Sequence, residues 1–256
     1  GELTESVRAR TGLGPAGVIA PCTHDTGSAV AAIPGEGADW AFISSGTWSV
    51  VGTLTENVVT GPDAFAAGLC NELTAGGLFL CRNTMGLWLL QQARAAWRRE
   101  GKEYPYAELA ALAAAAGPGG PLVNADDPRF LAPADMPAAL AEYCRQTGQT
   151  PPVGVAEVVR CILESLALSY RRTLDGIGSI LGRRFRVIHV IGGGSRNSLL
   201  CRMTAGATGL PVVAGPAEAT AMGNILVQAL ARGEVGSVQD IRDVVRRSTE
   251  LARYEP

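Results

Sequence analysis

Three short stretches carry the side chains that could do chemistry. The first, CTHDTGSAVAAIP, sets His24 and Asp25 between an apolar run, GVIAP (17–21), and a small-residue segment with helical character. The chain has only two histidines, and the other, His189, falls inside FRVIHVI, where it reads as a buried strand residue. Histidines so placed do not make a metal site. No G-x-S-x-G elbow is present to complete a Ser-His-Asp triad. Two uses remain for an aspartate at a strand end. It caps the helix that follows, or it accepts a proton or holds a metal in phosphoryl transfer. That reaction has a loose transition state, so its base needs position more than basicity.

The second stretch is SSGTWS, residues 44–49, broken at Gly46 and Thr47. It reads as an ordinary β-turn or as a tip that presents N–H and O–H donors to a phosphate. The third is GGGSRN, residues 192–197. Between a strand and a helix, Gly192, Gly193 and Gly194 either make a tight packing turn or turn backbone N–H groups toward a ligand. Asn197 stands where the dinucleotide fingerprint needs its last glycine, which disfavours a Rossmann NAD site. No Walker P-loop is present, and the single lysine, Lys102, lies in the polar stretch RREGKEY. Phosphate handling therefore falls to backbone N–H groups, hydroxyls, arginines or a metal.

The elements that must position these residues are legible from periodicity. GVIAP reads as a short buried strand. WAFISSGTWSVVGTL (40–54) reads as a β-hairpin, and GLFLCR (77–82) as a further strand. The stretch 83–100 reads as a helix with Leu87, Leu90, Ala93, Ala96 and Trp97 on one face, and 106–116 as a second helix. Residues 117–137, dense in Gly, Pro and Asp, read as a loop excursion between helices. A long helix over 155–181 carries a stripe of Val158, Ile162, Ser165, Leu166, Ser169 and Leu174. The strand 185–191 follows, then a helix from Asn197, a short strand LPVVAG and a last strong helix after Pro216. A hairpin-first, strand–helix-later order predicts an α/β fold with a mixed sheet.

Length and composition fit this picture. The chain has 256 residues, 47% of them apolar, with a net charge of -2, enough for a large packed core. Neither nucleic acid nor an anionic membrane is called for by that charge, and no apolar run approaches the roughly 20 residues of a membrane helix. The six cysteines, at 22, 70, 81, 144, 161 and 201, have no zinc-ligand spacing and read as free thiols of a reducing, cytoplasmic setting. A helix-turn-helix between Cys144 and Cys161 should bring that pair close. The first residue is Gly1, within a helix-like start, and we expect a fragment or a processed product.

Taken together, CTHDTGSAVAAIP, WAFISSGTWSVVG, FLCRNTMGLWLLQQ, VIHVIGGGSRNSLLCRMTAGATG and VVAGPAEATAMGNILVQALARGE resemble, in order, the C-terminal half of the FGGY family of carbohydrate kinases. The likeness is nearest to its L-rhamnulose-phosphorylating branch and spans residues 1 to 250 or so. It implies a ribonuclease-H-like, actin-type ATPase domain over residues 1–256, a mixed sheet with helices on both faces. It further implies ATP and Mg²⁺ as cofactors and a ketose substrate, L-rhamnulose or a related sugar, converted to the 1-phosphate. By the same resemblance Asp25 is the catalytic base, with His24, Thr26 and Asn83 as substrate contacts. Gly46, Thr47, Gln91, Gly192, Gly193, Gly194 and Asn197 are nucleotide contacts, and no side-chain metal site is implied. The family's N-terminal domain, which forms the other wall of the cleft, is missing from the resemblance, so the chain alone should be inactive. Gly27 departs from the family's usual alanine, which should only loosen the turn. The alternatives are a kinase for another ketopentose or ketohexose, or a non-catalytic nucleotide-binding or dimerising module; homo-oligomerisation stays open. If the kinase reading holds, Asp25, Thr47 and Gly192 should line one open face.

Overall fold

A computed structural model describes residues 1–256. Its seven strands are β1 (Trp40–Ser45), β2 (Trp48–Thr55), β3 (Cys70–Thr74), β4 (Gly77–Met85), β5 (Val187–Ile191), β6 (Val212–Ala214) and β7 (Ala252–Tyr254). They form one sheet in the order β3-β4-β2-β1-β5-β6-β7. The hairpin and its neighbours are antiparallel, β1, β5 and β6 run parallel, and β7 closes the far edge antiparallel. The sheet is thus mixed, as the order of elements predicts.

Ten helices accompany it: α1 (Glu5–Thr11), α2 (Asp25–Ala31), α3 (Pro62–Ala66), α4 (Trp88–Arg99), α5 (Tyr106–Ala115), α6 (Met136–Gln146), α7 (Gly154–Leu181), α8 (Ser198–Thr208), α9 (Ala219–Ala231) and α10 (Val238–Ser248). Alternate residues of the central strand serve opposite faces, because a strand's side chains alternate. Ala41 and Ile43 enter the larger core with α4 to α8. Trp40 and Phe42 enter the smaller core with residues of α2 and α9. Helices therefore cover both faces, and α10 joins α2 and α9 by burying Ile241 and Val245. The long helix α7 buries every residue of the predicted stripe, among them Ser165 and Ser169.

Several expectations are corrected. GVIAP is no buried strand: Gly17 makes an isolated bridge to Glu2, and Val18 is exposed. A five-residue apolar run looks the same in a strand and in an extended surface segment. Asn83 to Met85 belong to β4, where they pair with Val50, Ser49 and Trp48, and α4 begins only at Trp88. Helix α3, strand β3, helix α10 and strand β7 lie outside the elements read from sequence. The loop 117–137 is an excursion that feeds the core, with Val123, Ala125 and Phe130 buried in it. All six cysteines are free. Cys144 and Cys161 do meet, thiol against thiol, and burial pushes the Cys161 thiol up to about 12. No helix is long and apolar enough to cross a membrane.

Candidate active site

The parallel pairing of β1 with β5 sets two turns side by side. Ser44 pairs with Ile191, so Ser45-Gly46-Thr47 leaves one strand where Gly192-Gly193-Gly194 leaves the next. The glycines are required by this contact. Gly192 has φ 79°, and a Cβ there would stand 2.9 Å from the Ser45 carbonyl oxygen. A Cβ on Gly194 would stand 2.5 Å from Ser45 Cβ. Gly193, by contrast, is exposed with open space where a side chain would go. The hairpin turn is tied to the start of α4: Leu87 N–H donates to the Gly46 carbonyl at 2.9 Å and Trp88 N–H to that of Thr47 at 3.1 Å. Gly86 fits against this turn because its Cβ would meet the Gly46 carbonyl oxygen at 2.7 Å. The exposed Thr47 hydroxyl donates to Gln91 Oε1 at 3.2 Å, so two of the predicted nucleotide contacts meet. Asn197 is the N-cap of α8, its Oδ1 accepting from Leu200 N–H at 3.0 Å.

The second group is built on α2. From Thr26 to Ala31 this helix is buried, while the Asp25 carboxylate at its start is 76% exposed. Asp25 does not cap the helix, since the N-cap is His24 and no side chain caps it. Its Oδ1 is engaged instead: Thr26 N–H donates to it at 2.7 Å and the Thr26 hydroxyl lies at 3.5 Å. His24 Nε2 stands 3.3 Å from the same oxygen. Oδ2 has no hydrogen-bond partner within the chain. One oxygen is thus held and the other is open to a ligand. Thr26 itself is buried, so its hydroxyl supports the carboxylate.

Packing fixes α2 closely. The Thr74 hydroxyl donates to the Gly27 carbonyl at 2.6 Å, and a Cβ at Gly27 would lie 2.5 Å from the Leu73 carbonyl oxygen. The expectation that Gly27 only loosens the turn is therefore corrected, because no side chain fits between α2 and β3. On the other side, Gly223 of α9 lets the Ser28 carbonyl approach. His24 Nδ1 is hydrogen-bonded to Glu72 of β3, a residue absent from the sequence reading. Its only local signal is one acidic residue in the short stretch CNELT.

Asn83 is placed by β4 and not by either turn. It is exposed and pairs with Val50 one register step from the Ser45 turn. Strand alternation puts it on the same face as Phe79 and Cys81, the face that α2 covers lower down. No hydrogen bond joins the glycine-turn group to the α2 group. Asp25, Thr47, Asn83 and Gly193 are exposed, whereas Thr26 and Gly194 are buried. A cavity of about 500 Å³ elsewhere, lined by residues such as Gly117, Gln149 and Arg160, contains none of them. No three His, Cys, Asp or Glu side chains converge as a metal site.

The comparisons with known proteins agree on one family. Residues 41–232 match the FGGY family of carbohydrate kinases, C-terminal domain. The chain is 46% identical over 257 residues to a rhamnulokinase of Bacteroides thetaiotaomicron, covering 100% of this chain and 52% of that protein. It is 40% identical over 244 residues to a rhamnulokinase of Enterococcus faecalis, covering 93% and 49%. The chain therefore spans about half the length of the curated relatives it matches. Among solved structures, xylulose kinase from Rhodospirillum rubrum aligns with TM-score 0.61 at 22% identity, over 94% of this chain and 48% of that one. Plasmodium falciparum glycerol kinase with ADP aligns with TM-score 0.62 at 17% identity, over 89% and 45%. At that identity the structures speak for the fold alone, which is of the ribonuclease-H-like, actin-type ATPase class. With its mixed sheet, its paired glycine turns and a family match over most of its length, the chain belongs to the FGGY family of carbohydrate kinases and carries that family's C-terminal domain.

Proposed function

We propose that this chain is the C-terminal lobe of an ATP-dependent sugar kinase that converts L-rhamnulose to L-rhamnulose 1-phosphate. The observation that carries the reading is the Asp25 carboxylate, exposed at the end of a buried helix with Oδ1 anchored and Oδ2 free. The names of the relatives support the sugar. In the reaction, Asp25 Oδ2 takes the proton from the sugar hydroxyl while that oxygen attacks the γ-phosphorus, and the bond to the ADP oxygen breaks. A base that acts late in a loose transition state works chiefly by position, and the packing of α2 supplies that position. His24 and Asn83 flank the sugar's approach, and buried Thr26 holds the carboxylate in place. Gly46, Thr47 and Gln91 face the phosphates, and Gly192 to Gly194, with Asn197 behind them, take the adenosine end. Gly193 suits this role, because its exposed backbone has open space where a side chain would stand, so a nucleotide can come close.

The residues present fit magnesium carried on the nucleotide: Mg²⁺ keeps several waters and is commonly held by substrate phosphates, which would leave Asp25 Oδ2 free for the proton. When bound, the ion neutralises charge on the phosphates. Use of ATP, together with six free thiols, supports a cytoplasmic setting.

The test is Asp25→Asn in the complete kinase. Asn keeps the shape and cannot take the proton, so kcat should fall by about 10²–10⁴-fold with KM little changed. Retention of most of kcat would remove Asp25 from catalysis. Steady-state rates with L-rhamnulose and other ketoses check both the base and the sugar.

A further inference from the structure

Glu72 is the only charged group from another element that reaches the His24–Asp25 pair. It comes from the edge strand β3, 48 residues from His24, and three successive residues there hold the start of α2. Glu72 accepts from the His24 ring. The Leu73 carbonyl packs against Gly27, where no Cβ fits. The Thr74 hydroxyl donates to the Gly27 carbonyl at 2.6 Å. Register explains why Glu72 can do this. It pairs with Phe79, whose side chain lies in the core under α2, so Glu72 points to the α2 face. Its side chain is 26% exposed and that of His24 45%, so the contact is shielded more than a surface ion pair.

An ionised carboxylate accepts hydrogen bonds and donates none. The proton between Glu72 and His24 therefore sits on Nδ1, and that hydrogen bond selects the tautomer of the ring. Nε2 is left as the atom turned to the open side, 3.3 Å from Asp25 Oδ1. We propose that Glu72 is a positioning residue for phosphoryl transfer: it fixes the tautomer and plane of His24 so that Nε2 meets the sugar beside the free oxygen of Asp25. In the neutral ring, Nε2 then accepts a hydrogen bond from a second hydroxyl of the substrate while Asp25 Oδ2 accepts the reacting one. The pair reads two hydroxyls of a polyol at once and orients the attacking oxygen. This inference rests on the kinase reading above.

Two measurements test it. The first is nitrogen-15 NMR of the imidazoles in this chain, which has only His24 and His189 to resolve. His24 should show a single tautomer protonated at Nδ1, and Glu72→Ala should release it to the mixture typical of a solvated ring, while Glu72→Gln, which keeps an acceptor oxygen, retains part of the preference. The second is steady-state kinetics of the complete kinase. Misplacing a reacting group by about 1 Å can cost 10²-fold, so Glu72→Ala should lower kcat by about 10- to 100-fold with KM moved less. In a His24→Ala background it should cost little more, because the two residues act as one unit. A wild-type His24 protonated at Nε2, or a Glu72→Ala variant that changes neither tautomer nor kcat, overturns the proposal. Absence of sugar phosphorylation by the complete wild-type protein overturns the kinase reading instead, and the NMR result still decides whether Glu72 sets His24.

Discussion

The two histidines of this chain show how surroundings divide one residue type into two roles. His24 stands on open surface between two carboxylates. His189 sits in β5 at 5% exposure, edge-on to Trp40, with no hydrogen-bond partner on Nδ1. Burial first, then the Arg242 and Arg246 charges, pulls its pKa down to about 4 from 6.5. Folding therefore binds this proton less readily than the unfolded chain does. Between pH 6.5 and about 4 the unfolded state holds more protons, so stability falls as the solution is acidified through that window. The full loss from this one group is about 3 kcal/mol. His189→Gln cannot take the proton and should flatten the acid slope. Urea midpoints at pH 7 and pH 4.5 check this. Equal acid losses in the two proteins would assign the slope to other groups.

Among the elements, α2 and α9 are the pair on which the site depends. A Cβ on Gly223 would stand only 1.8 Å from the Ser28 carbonyl oxygen, a backbone atom with no room to move. Gly223→Ala should therefore push α2 off α9. Overpacking of this sort costs typically 1–3 kcal/mol, and thermal melting reads the loss. The same displacement carries Asp25 with it, so kcat in the complete kinase should fall by more than the stability loss explains at a temperature where the protein remains folded. A variant with unchanged melting and rate would show that the helices separate without consequence. The elements absent from the sequence reading share a physical cause: α3 spans five residues and buries only Ala64. β3 is an edge strand of five residues with no fully buried side chain. α10 buries only Ile241 and Val245 among its charged residues, so its apolar signal is narrow. β7 is three residues long. None carries a run long enough to outweigh a loop reading.

In the proposed kinase, the whole chain supplies one wall of a cleft. His24, Asp25, Thr47 and Asn83 lie on open surface, and positioning both reactants needs both walls. Well-oriented reactants account for about 7–11 kcal/mol of a barrier, which one wall cannot provide. The 256-residue chain by itself should therefore phosphorylate L-rhamnulose at a negligible rate. It should also bind Mg²⁺-ATP weakly, since ordering loops around a ligand costs free energy that a half-site recovers poorly. A coupled assay and calorimetry with the purified chain check both. Turnover near the roughly 1–100 s⁻¹ common among kinases would mean that this chain forms a complete site, for instance by self-association.

What the sequence determined by itself was local and repetitive. The alternation of β1 and β2, the stripe on α7 and the β-branched run of β5 each repeat a burial period within one segment, and together they led to the α/β class and the mixed sheet. Asp25 and the glycine turns were legible because they sit at element ends, in short motifs to which family resemblance could attach. Tertiary structure alone decided the rest. Glu72 meets His24 only because β3 lies at the edge of the sheet in one register. Gly27 is obligatory only because the Leu73 carbonyl fills the space of its missing Cβ. Thr26 turns from a candidate sugar contact into a support for Asp25 because α2 is packed over the sheet. Each of these contacts joins chain segments far apart in sequence or depends on how one element packs on another, and neither leaves a local period to read.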